Sequence, residues 1–181
     1  MRKNCKNTLI SIESYAGAGT PITIVQKALQ FARSKKLTKD NRPKRNFFEE
    51  KDEIWAVFDR DEHERYEEAV NLCAKNGIRV ARSNSCFEIW LILHEQDYDR
   101  LDDRYQVQKK LQQVRPEYEK AGAKVLDYEE IISRVREAEN RSQNQLCRRE
   151  YKGKPHGRPS TKVDDLTKAI WKVHEAVITE S

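Results

Sequence analysis

The chain has 181 residues, 37% of them apolar and 36% charged, with a formal net charge of +5 and a mean hydropathy of −0.94. This length supports an α/β domain with a real core, so folding needs neither disulfides nor a structural metal. Six glycines and five prolines exclude a collagen-like or low-complexity chain, and the longest apolar run, Ile89–Leu93, is far too short to span a bilayer.

In chain order, Thr8-Leu-Ile-Ser-Ile12 predicts a short strand ending at Glu13, and Ala16-Gly-Ala-Gly-Thr20 breaks it. Thr20 can N-cap a helix with Pro21 at its first position and Ile22, Val25, Leu29 and Ala32 facing inward. Residues 33–51 read as a basic loop. Ile54-Trp-Ala-Val-Phe58 is a near-continuous apolar run, which predicts a strand covered on both faces, and it stops at Asp59-Arg60-Asp61. The next helix places Tyr66, Ala69, Val70, Cys73 and Ala74 on one face and ends at Gly77. Ile78–Ala81 predicts another strand. Such alternation implies right-handed crossovers and a parallel sheet.

After Ser83 the pattern turns helical. Ser85-Cys-Phe-Glu88 has capping-box spacing, and Phe87–Leu93 predicts a buried helix. Tyr98–Asp103 is a polar connection, and residues 104–114 form a weakly amphipathic helix. Asp127–Glu130 opens another, with Ile131, Ile132, Val135 and Ala138 inward. Gln145–Arg158 reads as a basic loop. Ser160 or Thr161 caps a final helix with the stripe Val163, Leu166, Ile170, Val173 and Val177. We therefore expect an α/β core over residues 1–96 and a helical extension over 97–181 packed on it within the same domain.

Cys5, Cys73, Cys86 and Cys147 include no C-x-x-C pair, which argues against a disulfide framework or a zinc ribbon. No apolar signal segment follows Met1-Arg-Lys-Asn4, so a cytoplasmic setting is expected. Charge is concentrated: Arg33–Arg45 is net +6 and Asn140–Arg158 net +5, the first 32 residues carry +3, and the remainder is net −9. The basic segments suit a polyanion; the plain alternative is a pair of solvated loops.

The sharpest signal is Val57-Phe-Asp59-Arg-Asp61-Glu62. Positions i and i+2 of a strand share a face, so Asp59 and Asp61 aim together at roughly 6–7 Å between Cα atoms. Ligands of open α/β sheets bind outside the carboxyl ends of the strands. Two carboxylates there call for a cation, and hard oxygen ligands select Mg²⁺ or Mn²⁺. The alternative is a pair of acids serving the next helix's N-terminus, and Arg60 should point the other way. Three chemistries end a strand in D-x-D: dehalogenase-type phosphatases, nucleotide-sugar transferases and the Toprim phosphoryl-transfer domain. His63 stands where the phosphatases carry Thr or Val, and the chain is short for the transferases.

The blocks Ile54–Glu62, Asn76–Ala81 and Ser83-Asn-Ser-Cys-Phe-Glu-Ile-Trp-Leu-Ile-Leu-His94, with Tyr118-Glu-Lys120 and Pro159-Ser-Thr161, resemble the RloB-like proteins, which are Toprim-related. The resemblance implies a Toprim-like sheet flanked by helices and Mg²⁺- or Mn²⁺-dependent cleavage of DNA or RNA. It further implies bacterial or archaeal restriction or abortive-infection defence and a partner ATPase of ABC/AAA type. The catalytic set would be Asp59 and Asp61, with Glu88 or the family's N-terminal glutamate completing the metal shell. The family's opening C-E-G-x-x-T-E-like segment is absent here, and Gly17-x-Gly19-Thr20-Pro21 resembles the turn before its first helix. On this reading the chain begins near the family's second strand, and Glu13 is a stand-in outside the motif. Ser85 replaces a usual proline and Arg158 a usual asparagine. A second reading is a non-catalytic Toprim-like module that binds nucleic acid or the ATPase; a third is a dehalogenase-type phosphatase.

Other residues are weighed individually. Glu88 is either a third acid or the capping partner of Ser85, and Asn84 either holds the turn or a phosphate. Cys86 reads as a buried inert thiol and His94 as a core histidine. Trp55, Trp90 and Trp171 fit buried faces. Lys120, Arg148, Arg149, Lys152, Lys154 and Arg158 are the nucleic-acid-binding candidates, because phosphate binding needs charge density. The sequence leaves the oligomeric state open.

Overall fold

The computed structural model describes residues 20–34, 53–60, 63–120, 128–154 and 157–179. The expected first strand at Thr8–Ile12, Glu13, the Gly17–Gly19 turn, Asp61 and most of the basic segment 33–51 lie outside the described residues.

Helix α1 (Pro21–Ser34) starts as its sequence dictates, with the Thr23 amide donating to Thr20 Oγ1 at 3.4 Å and Pro21 in the first turn. It buries Ile22, Val25, Leu29 and Ala32 against β1 (Trp55–Asp59) and α2 (Tyr66–Asn76). Gly77 ends α2 at φ 72°, and the Ile78 amide donates to the Cys73 carbonyl at 3.0 Å. Strand β2 (Arg79–Asn84) then runs parallel to β1, from Trp55 opposite Arg79 to Asp59 opposite Ser83. It extends three residues beyond the expected Ala81.

Two expectations for the sheet are corrected. Ala56 and Phe58 are buried, but Val57 between them is 43% exposed, so β1 is not covered on both faces. The third described strand, β3 (Ser160–Thr161), pairs antiparallel with the end of β2 and completes the order β1-β2-β3. The sheet is therefore mixed. Thr161 still serves the following helix, since its Oγ1 accepts from the Val163 amide at 3.3 Å.

Beyond β2 come α3 (Glu88–Glu95), α4 (Arg104–Val114), α5 (Glu117–Lys120), α6 (Tyr128–Ser133), α7 (Val135–Tyr151) and α8 (Val163–Thr179). The chain is an α/β protein with helices flanking the sheet and a largely helical C-terminal part. Helix α3 is buried at every position from Glu88 to His94, surrounded by α4, α7 and the sheet. One apolar cluster joins α1, β1 and α2; a second, around Ile89, Ile92, Leu93, Val107 and Leu111, joins α3 to the later helices.

Polar contacts fasten those helices to the sheet. Ser83 Oγ lies 2.9 Å from Thr161 Oγ1, and the Ser142 hydroxyl lies 2.9 Å from both the Thr161 carbonyl and Asp164 Oδ1. Lys168 Nζ donates to Asp164 Oδ2 at 2.8 Å. Helix α8 thus buries Asp164 and Thr167 with Val163, whereas Leu166 and Ile170 of the expected stripe are only half-buried. Of the tryptophans, Trp90 alone is buried; arginines lie over the other two, Arg79 over Trp55 and Arg136 over Trp171.

Candidate functional site at the carboxyl end of the parallel strands

Asp59 is the last residue of β1, where the parallel ladder closes with the Arg60 amide donating to the Ser83 carbonyl at 2.7 Å. Its carboxylate is partly exposed, and Arg104 Nη2 at the start of α4 stands 3.9 Å from Oδ2. Arg60 turns to the opposite side, its guanidinium 5.2 Å over the Tyr66 ring and 3.6 Å from Glu67. That divergence is what alternation along a strand requires. Asp61, the other half of the D-x-D, lies outside the described residues.

Glu88 does not form a capping box with Ser85. The Ser85 hydroxyl donates to the Asp102 carbonyl at 2.9 Å, and Phe87 occupies the N-cap without a side-chain bond. Glu88 is 5% exposed, and its Oε1 accepts from Gln108 Nε2 at 2.9 Å and from the Tyr118 hydroxyl at 2.8 Å. Burial alone would raise its pKa. Hydrogen bonds from Cys86, Tyr118, its own amide and Gln108 reverse that and hold the carboxyl below its ordinary value. Glu88 is therefore an ionised acceptor that ties the start of α3 to α4 and α5.

Cys86 is fully buried, and burial pushes its thiol pKa far up, with the charges of Glu88 and Asp59 adding to the effect. This is an inert thiol, as its sequence setting predicts. Asp59, paired with Ser83, and Glu88, opening α3, stand at the two ends of the turn that holds Cys86. Burial and Glu88 likewise raise Tyr118. His94 is buried with Nδ1 2.9 Å from the Trp90 carbonyl, and burial lowers its pKa, so it is a neutral core histidine.

The segment expected as a basic loop from Gln145 is helical to Tyr151. Arg148 and Arg149 both pair with Asp99; Arg149 is buried and donates from Nη1 to the Arg158 carbonyl at 3.1 Å. Lys152, Lys154 and Arg158 are exposed in the turn after the helix. Lys120 ends α5, where its backbone is described and its side chain is not. The D-x-D strand end and the Arg148–Arg158 group thus sit on different elements.

Several site residues escape sequence reasoning. Arg104 and Gln108 reach Asp59 and Glu88 only because α4 starts where it does. That start is a complete capping box: Asp103 Oδ1 accepts from the Gln106 amide, and Gln106 Oε1 from the Asp103 amide, each at 2.9 Å. The D-x-x-Q spacing was the available signal.

Among the described residues, no three His, Cys, Asp or Glu side chains are grouped to hold a metal ion, and no helix is long and apolar enough to cross a membrane. The described candidate ligand is Asp59, a hard, solvent-reachable oxygen donor suited to Mg²⁺ or Mn²⁺, and the fit rests on Asp61 completing the pair.

No curated protein and no solved structure matches the chain. The model of the family described as RloB-like protein matches residues 1–170. That span takes in Asp59, the Ser83–Glu88 turn, Tyr118 and the Pro159–Thr161 strand, and the chain belongs to the RloB-like family.

Proposed function

We propose that the carboxyl end of β1 is the centre of a Mg²⁺- or Mn²⁺-dependent nuclease that cleaves phosphodiester bonds in DNA or RNA. The observation that carries this reading is Asp59, ending a strand of the parallel pair, open to solvent and facing the Arg104 guanidinium. Asp59 and Asp61 would hold the cation, which when bound supplies charge stabilisation at a phosphoryl oxygen and a more acidic water. Arg104 offers a second positive group beside it, with planar donors matched to phosphate. Glu88 acts by fixing the Cys86 turn, Gln108 and Tyr118 around the strand end. Lys120, Lys152, Lys154, Arg158 and the paired Arg148 and Arg149 are proposed backbone contacts. Following the family resemblance, the proposed setting is cytoplasmic defence with an ABC/AAA-type ATPase partner.

The test is a panel of single- and double-stranded DNA and RNA, incubated with purified protein and Mg²⁺ or Mn²⁺. Asp59→Asn and Asp61→Asn are each expected to lower cleavage by about a hundredfold or more. Unchanged cleavage in Asp59→Asn rejects the assignment.

One observation favours a second reading, a module that binds nucleic acid or the ATPase without turnover. Asp59 already has a guanidinium at 3.9 Å, and Glu88 already has two donors on one oxygen. Calorimetry with Mn²⁺ separates the two: no metal binding, with nucleic-acid binding retained, selects the module.

A further inference from the structure

Helix α4 has two unlike sides. Arg104 and Gln108 reach inward to Asp59 and Glu88. On the other side Gln106, Lys109, Lys110 and Gln113, at i, i+3, i+4 and i+7, line a groove of about 230 Å³ that Arg100 and Asp102 close from the preceding connection. Asp102 Oδ2 accepts from the Tyr98 hydroxyl at 2.7 Å and lies 3.2 Å from Arg100 Nε, so the connection is anchored. Tyr105, one turn before Lys109, is 80% exposed.

We propose that this groove holds single-stranded RNA, the substrate class of the Asp59 site; the inference rests on the nuclease reading above. With Arg100 paired to Asp102, Lys109 and Lys110 leave the groove a net charge of +2, which matches a sugar-phosphate backbone in sign. An exposed tyrosine ring beside them offers a face on which a base can stack. A base presents that face only when it is outside a duplex, which selects a single strand. The groove also carries acceptor oxygens, from Gln113 and Asp102, among its cations. A DNA backbone has no donor for them, whereas each ribose 2′-hydroxyl does. A helix is about 10–12 Å across with its side chains. A strand passing over the first turn of α4 therefore touches the groove on one side and Arg104 with Asp59 on the other.

The experiment is fluorescence anisotropy of a labelled RNA 12-mer with the full chain in EDTA, so that binding is read without cleavage. The double substitution Lys109→Ala/Lys110→Ala is expected to weaken binding about tenfold and to flatten the slope of log K against log salt by about 1.4. Tyr105→Ala is expected to weaken it about tenfold, with Tyr105→Phe close to wild type. A charge-matched control on other helices, Lys75→Ala/Lys172→Ala, is expected to change it less than twofold. The groove is overturned if the Lys109/Lys110 pair does no more than the control. The RNA assignment is overturned if a DNA 12-mer of the same sequence binds as tightly, and the single-strand assignment if the RNA duplex binds more tightly. RNA binding that follows this pattern, with no cleavage in the metal panel, rejects the Asp59 reading alone. Asp59-dependent cleavage with binding indifferent to Lys109 and Lys110 rejects the groove alone.

Discussion

A carboxylate buried to the extent of Glu88 stays ionised only where donors replace the water it has lost. Gln108 and Tyr118 do so on one oxygen. Glu88→Gln puts an amide donor into a site built to donate to it, and we expect a loss of about 2 kcal/mol in urea unfolding at pH 7. Because the folded-state pKa is depressed, the carboxylate's contribution is present above the ordinary glutamate range and disappears as pH falls through the depressed value. The gap between wild type and Glu88→Gln should therefore narrow on acidification, measured as unfolding free energy from pH 7 downward. Asp59 was legible in the sequence because an apolar run stops abruptly at it. The partners of Glu88 were not: Gln108 and Tyr118 lie 20 and 30 residues further on, and short-range spacing offered Ser85 instead.

At the scale of elements, the capping box at Asp103 decides where α4 begins and so where Arg104 stands. Asp103→Ala should cost about 1 kcal/mol by thermal or urea unfolding and should speed hydrogen exchange at the Gln106 amide, which loses its acceptor. Gly77→Ala should cost roughly 1 kcal/mol as well, since the left-handed conformation at the end of α2 disfavours a Cβ. The elements read correctly from sequence are those whose buried side is apolar, α1, α2 and α3 above all. From Gln145 onward α7 buries Gln145 and Arg149, a polar inner face that hydrophobic periodicity cannot register, so this stretch read as a loop. Strand β3 is two residues long, too short for any alternation to show.

Across the whole molecule, the α/β class follows from the alternation of strands and helices over the first half, while the mixed sheet depends on a strand that returns from near the C-terminus. The helical layer is laced together by Arg115, buried among Glu95 of α3, Glu117 of α5 and Glu130 of α6, with Arg134 also on Glu95. Arg115→Ala leaves Glu95, in a largely dry position, with Arg134 as its guanidinium partner, and should cost about 2 kcal/mol in urea unfolding. Helix α3 shows what this layer shelters. Every side chain from Ile89 to Leu93 is greasy, and α4 and α7 are its roof. A polypeptide terminated after Gln96 would present that greasy rod to water, so we expect it to pellet on ultracentrifugation while the full-length chain stays in the supernatant. During synthesis the same rod leaves the ribosome well before its roof does, which makes the interval between residues 96 and 151 the stretch over which the nascent chain most needs a chaperone.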